Sequence, residues 1–211
     1  MPTLLNTLVI TVMVLNLVAL GTANLSQGIR WVARQGVLLG LPPLLMRPGL
    51  GTLALAVGVV AVKGWTVPRL LQRAMRESET RHEAAPLLKL MPTVLLGALA
   101  AGLALAFSGR LPMRQGESGW LLLPASLATV SAGFLMMVTR ATAVGQALGY
   151  LILENGIFIF GLLLVEAMPL VVEMGVLLDL FVAVFVVSII IHHIQRAFST
   201  LDTRGLSLLK D

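Results

Sequence analysis

The sequence predicts an all-α integral membrane protein with about seven transmembrane helices. Three observations carry that expectation. Of 211 residues, 57% are hydrophobic and only 12% charged, which is too apolar and too poor in charge for an ordinary soluble domain. Apolar stretches recur at lengths near the roughly 20 residues that a helix needs to cross a bilayer. Arginines and lysines gather between alternate stretches, as they do where loops face the cytoplasm.

The first span runs from about Thr3 to Ala23. It lacks the basic n-region of a signal peptide and is longer than the usual apolar core of one, so it reads as a helix that stays. The second, near Trp31 to Met46, is short, and Pro42-Pro43 should end or bend it; a re-entrant segment is the alternative. The third runs from Gly49 to Pro68. After it, RLLQRAMRESETRHEAA mixes both charge signs at helical spacing and extends the helix into water, either as a solvated linker or as a docking surface. The remaining spans lie near Leu88 to Phe107, Trp120 to Thr139, Ala143 to Val165 and Leu170 to Ile191. Gly97 to Gly102, and Ala125, Ala128 and Ala132, supply the small residues that let helices approach closely.

Alternating helices put Arg30, the group Arg69, Arg73, Arg76, Arg81 and Lys89, then Arg140, Arg196, Arg204 and Lys210 on one side. The other side receives Arg47, Arg110 and Arg114. By the positive-inside bias the N-terminus faces outward and the C-terminus the cytoplasm. Arg34 and Lys63 fall inside spans.

The absence of cysteine excludes disulfides, thiolate ligands and a cysteine nucleophile in this chain. Phosphate-binding glycine loops, nucleophile triads and zinc spacings are also absent. His192 and His193 are adjacent on a helix, point in different directions and make a poor metal site, so no metal is expected. The positive charge fits membrane topology and gives no argument for nucleic acid.

Glu154, in GYLILENGIFIFG, lies near the middle of its span, and Asp179, in EMGVLLDLFVAVFVV, lies at similar depth in the next. A charge at the centre of a membrane helix costs roughly 2.5–3.5 kcal/mol on insertion scales, so each acid needs a partner or a proton. Together they suggest a proton or ion pathway. Tyr150 sits one turn before Glu154, and His193 follows Asp179 on its face at the cytoplasmic end. Lys63 either snorkels to the interface, or serves as counter-charge to Glu154 or Asp179 or as a link to a neighbouring subunit's ion path. Arg34, one turn from Arg30, snorkels more easily. Glu166 and Glu173 flank the turn around Pro169 and read as interfacial.

A weak internal repeat lays RWVARQGVLLG on GYLILENGIFIFG, so that Arg34 meets Glu154, Gln35 meets Asn155 and Gly36 meets Gly156. LLQRAM likewise matches HIQRAF. In this register Asp179 falls opposite Ala56. The division that follows is a first three-helix unit with its extension (1–87), a linking helix and loop (88–119), and a second three-helix unit with a tail (120–211).

The second unit, with one acid in its second helix, another in its third and a basic tail, resembles the NuoK-type subunit of complex I and the MrpC-type subunit of multisubunit cation/proton antiporters. The whole chain, with its doubled unit and the segments LILENGIFIFG and VVEMGVLLDLFVAVFVV, looks like hydrogenase-4 component E, a membrane subunit of formate hydrogenlyase and related group 4 nickel–iron hydrogenases. The resemblance implies a non-catalytic subunit that couples redox chemistry to proton translocation. It implies partners: other antiporter-like membrane subunits and a peripheral redox module, which would hold the nickel–iron centre and the iron–sulfur clusters, with no cofactor in this chain. Glu154 takes the place of the second-helix glutamate and Asp179 that of the third-helix glutamate. Asp in place of Glu shortens the reach, and Arg34 and Ala56 leave the first unit without acids. A subunit of a cation/proton antiporter without redox partner, and a structural spacer, are the alternative functions.

Overall fold

The computed structural model describes residues 2–46, 48–77, 88–110 and 120–164, with isolated positions at 175, 181, 182, 184 and 188. Among the described residues the chain is helical, without strands: α1 (Pro2–Leu20), α2 (Leu25–Leu39), α3 (Pro42–Met46), α4 (Leu50–Ala61), α5 (Val67–Glu77), α6 (Leu90–Ser108), α7 (Leu122–Thr139) and α8 (Ala143–Leu164). A π turn, Val62–Thr66, joins α4 to α5 without a break. Among the described residues five helices are long and apolar enough to cross a membrane: α1, the continuous α4–α5, α6, α7 and α8.

The second predicted span takes a different form from the one expected. Its helix starts at Leu25, six positions before Trp31, because the Asn24 side chain accepts hydrogen bonds from the Ser26 and Gln27 backbone N–H groups and caps it there. It ends at Leu39, and the chain restarts at Pro42-Pro43, whose missing N–H groups cost nothing in a first helical turn. At 15 residues, α2 is about 22 Å long, short of the hydrocarbon thickness. It is amphipathic: Leu25, Ile29, Val32, Gln35, Gly36 and Leu39 are buried, while Arg30 and Arg34 are exposed.

Pro68 explains the π turn. Pro92 and Pro124 lie in the first turns of α6 and α7, but Pro68 lies inside a continuous helix. There its ring crowds the carbonyl four residues back and it brings no N–H. Widening the preceding turn relieves the clash; the Val67 N–H reaches the Val62 carbonyl and the Thr66 hydroxyl donates to the Ala61 carbonyl at 3.0 Å.

The interior has three layers. One apolar cluster gathers Ala19 and Leu20 of α1, Leu25, Ile29 and Val32 of α2, Val67, Leu71 and Met75 of α5, Ala132 and Met136 of α7, and the first half of α8. A second gathers Leu5, Val9 and Val12 of α1, Leu39 of α2, Val59 of α4, Leu121, Leu122 and Ala125, and Phe158, Ile159 and Leu162 of α8. The helices α1, α2, α4–α5, α7 and α8 each contribute one end to each cluster, so α1, α4–α5 and α7 run one way while α2 and α8 run the other. Between the clusters lie the buried polar residues Asn16, Gln35, Lys63, Thr129, Glu154 and Asn155. The outside is apolar: Met91, Leu95, Leu99, Leu103 and Phe107 form an exposed stripe along α6 at four-residue spacing. A polar middle inside an apolar exterior is the arrangement that suits lipid as the surrounding solvent.

Glycines bring α7 and α8 together. A Cβ on Gly133 would fall against the Leu153 backbone; one on Gly149 would lie 2.6 Å from the Met137 nitrogen, and one on Gly156 2.6 Å from the Val130 nitrogen. Ala125, Ala128 and Ala132 are buried beside them. Of the pair in α6, only Gly97 makes a close approach, against Leu20, and a Cβ on Gly102 would meet nothing. Arg140 sits between helices with 2% exposure, unlike an ordinary loop charge. Its guanidinium donates to the Leu20 and Thr22 carbonyls at 2.9 and 3.0 Å, capping the C-terminal end of α1, where the backbone dipole favours a cation.

Candidate functional site

Lys63 and Glu154 form a buried ion pair. The Lys63 Nζ lies 2.8 Å from Glu154 Oε1, and the two residues are 5% and 1% exposed. Glu154 stands in the middle of α8, eleven residues or roughly 16 Å from its start. Lys63 reaches it from the π turn. Glycine makes that approach possible: a Cβ on Gly36 of α2 would lie 2.7 Å from the Lys63 Cβ and 3.2 Å from its backbone carbon. The ammonium also stands 5.6 Å from the centre of the Phe158 ring, a cation–π distance that adds to its solvation. Snorkelling, the other expectation for this lysine, does not describe a side chain directed into the bundle. Arg34 is exposed on α2, its guanidinium stacked 4.4 Å from the Trp31 ring.

From the pair a chain of hydrogen bonds crosses the bundle. The Lys63 Nζ donates to Asn155 Oδ1 at 3.1 Å, and Asn155 Nδ2 donates to Gln35 Oε1 at 3.1 Å. Gln35 Nε2 donates to Asn16 Oδ1 at 2.6 Å, and Asn16 Nδ2 to Thr129 Oγ1 at 2.9 Å. One polar side chain or pair from each of α1, α2, the π turn, α7 and α8 is thereby satisfied by another helix. The bonds matter because an unpaired polar group costs several kcal/mol where no water reaches it. Gln35 and Asn155, matched to each other in the internal repeat, meet directly. Their neighbours Arg34 and Glu154 do not correspond, one being exposed and the other buried.

A cavity of about 10 Å³, close to one water, touches Lys63 and Asn155 and is otherwise mostly walled by Ile29, Val32, Val67 and Leu71. Among the described residues no group of three or more His, Cys, Asp or Glu side chains could hold a metal.

The comparisons bear on what such a layer belongs to. Over 192 residues the chain is 35% identical to the uncharacterized protein Rv0085 of Mycobacterium tuberculosis, covering 87% of this chain and 85% of that one. The chain belongs to the same family as that protein. Over 101 residues it is also 33% identical to the hydrogenase-4 component E of Escherichia coli K12 and to that of Shigella flexneri. The hydrogenase-4 matches span 48% of this chain and 46% of those relatives, about half of each. No family model matches the chain, and no solved structure does.

Of the predicted path residues, Glu154 and Lys63 meet in the polar layer. Tyr150 is half-buried one turn before Glu154 and packs on the first apolar cluster. Asp179, His193, Glu166 and Glu173 lie outside the described residues. Sequence reasoning missed Asn16 and Thr129 and gave Gln35 and Asn155 no part in the site. The signal was there for the amides: each is an Asn or Gln, with a large hydrogen-bonding demand, set within a helix built for lipid or core.

Proposed function

We propose that this chain is a membrane-arm subunit of an energy-converting hydrogenase or formate hydrogenlyase-like complex, and that it contributes to proton translocation through the Lys63–Glu154 pair. The observation that carries the reading is the 2.8 Å ion pair at the middle of an apolar-surfaced bundle. A proton handed from the Lys63 ammonium to the Glu154 carboxylate leaves a neutral amine and a carboxylic acid. The pair can therefore change state without placing net charge in the membrane. The partial likeness to hydrogenase-4 component E supports membership of a multisubunit complex, with the nickel–iron centre and iron–sulfur clusters in partner subunits.

In this reading the seventh span brings Asp179 to the layer, Tyr150 and His193 extend the path, the N-terminus faces outward, and the two three-helix units are NuoK-like. The test is proton movement in vesicles holding the assembled complex. Glu154→Gln removes the exchangeable acid while keeping its size, and should leave assembly intact while abolishing most translocation; Glu154→Asp should retain part. Wild-type translocation by an assembled Glu154→Gln, Lys63→Met variant would exclude the mechanism.

The hydrogen-bond chain favours a second reading, in which the pair and its amides lock five helical segments into one register. That role predicts failed assembly of the same variants and no specific loss of translocation in those that do assemble. Co-purifying subunits decide the setting: a nickel–iron hydrogenase module supports the first reading, and large antiporter subunits alone would place the chain in a cation/proton antiporter.

A further inference from the structure

Beside the polar layer, on the outer surface, α2 and the α4–α5 helix line an open groove of about 350 Å³. Its walls carry Arg30 and Arg34 from one helix and Trp65, Arg69 and Gln72 from the other. None of the described lining residues is acidic, and no carboxylate among the described residues pairs with any of the three arginines. Two of the guanidiniums stand over indole rings: Arg34 lies 4.4 Å from the Trp31 ring centre and Arg69 3.8 Å from the Trp65 ring centre. A guanidinium over an aromatic face keeps its edge N–H groups available to an anion.

The two helices change character at the same level. On α2 the exposed stripe reads Arg30, Arg34, Val37, Leu41. On α4–α5 it reads Leu53, Val57, Ala61, Trp65, Arg69, Arg73 at four-residue spacing. The stripes touch where they change, since a Cβ on Gly64 would fall 2.6 Å from the Val37 side chain. Trp65, 58% exposed, stands at the boundary, where amphipathic rings sit at membrane surfaces. The result is a basic notch continuous with an apolar lane, at the end of the bundle that also carries Arg76 and Arg140.

We propose that the groove is a binding site for an anionic phospholipid, with its phosphodiester on Arg30, Arg34 and Arg69 and an acyl chain along Val37, Leu41 and Val57. A free phosphate would use only the notch. An acidic partner segment would have no use for the apolar lane. Basic pockets between transmembrane helices on the cytoplasmic side bind acidic headgroups by this chemistry.

The test reconstitutes the full chain, with the subunits that co-purify with it, in phosphatidylcholine vesicles. These carry a trace of either phosphatidylglycerol or phosphatidylcholine with a photoactivatable group in the acyl chain. After irradiation, adducts on peptides spanning 31–41 and 53–65 should form preferentially with phosphatidylglycerol, whereas adducts on the α6 stripe should show no preference. Arg34→Gln with Arg69→Gln should lower the groove adducts about fivefold or more, one basic residue near an anionic surface being worth roughly that factor, and leave those on α6 unchanged. Equal labelling of the wild-type groove by both lipids would overturn the proposal, and needs no variant to fold. So would displacement by soluble glycerol phosphate at the labelling concentration, or detachment of a partner subunit by the arginine variants with lipid labelling unaltered.

Discussion

Lys63 and Glu154 are each tolerable in the bundle because the other is there. Removing one partner of a buried pair leaves an uncompensated charge and costs about 3–5 kcal/mol, whereas replacing both by uncharged residues of similar size is often close to neutral. The same logic predicts a sign pattern. Glu154→Gln and Lys63→Met should each destabilise the assembled protein by about 3 kcal/mol, and the double variant by less than either, giving a coupling energy of more than about 3 kcal/mol. Denaturation of the assembled complex in mixed micelles measures all four corners. Additive losses would show that the 2.8 Å contact holds no energy of its own. Asn155 extends the argument: Asn155→Leu deletes the bond to Lys63 and leaves the Gln35 Oε1 without its donor, so it should cost about 1–3 kcal/mol even though leucine suits an apolar helix better.

Among the elements, α7 and α8 approach so closely that backbone meets backbone, and only glycine at 133, 149 and 156 permits it. Gly133→Ala would drive a methyl group into the Leu153 backbone, which cannot rotate away as a side chain can. It should therefore destabilise by about 1–3 kcal/mol, the usual cost of overpacking, and displace Glu154 from Lys63. Gly102→Ala is the matched control: the site is open, and a helix gains up to about 1 kcal/mol when glycine becomes alanine. Thermal unfolding of the two variants should move in opposite directions. The π turn is the other element with a structural cause and a consequence. Pro68 forces the wider turn, the wider turn turns Lys63 inward, and Gly36 leaves room for it. Pro68→Ala restores the missing N–H and removes the reason for the bulge, so it should weaken the ion pair, read as loss of the Lys63–Glu154 coupling energy.

At the scale of the whole molecule, the helical membrane architecture was legible because composition and span length are set by the solvent. The depth of Glu154 was legible for the same reason. The site was only half legible. A lone Lys63 in an apolar run has two outcomes, snorkelling or pairing, and the choice depends on a π turn and on Gly36, neither of which periodicity reveals. The start of α2 was missed because its cap, Asn24, precedes an amphipathic helix whose exposed arginines look like a loop. Arg140 was counted as a loop charge because its acceptors, two carbonyls at the end of α1, lie more than a hundred residues away in sequence. That long-range contact nevertheless ties topology to the fold. It puts the end of α1 beside the end of α7, and Gly21 lies against Val94 at the start of α6, so Arg110 at the far end of α6 stands on the opposite face. Among the described residues the basic side chains outside the polar layer then gather at one end, apart from Arg110, and in the proposed orientation that end faces the cytoplasm. The chain has no cysteine, which makes single introduced thiols a clean report on this chain. In intact cells a membrane-impermeant maleimide should label Gly109→Cys and leave Ala141→Cys unlabelled until the membrane is opened. Because the two positions lie at opposite ends of one bundle, the reverse pattern would invert the orientation without disturbing the fold, and labelling of both from outside would contradict the alternation of helix directions itself.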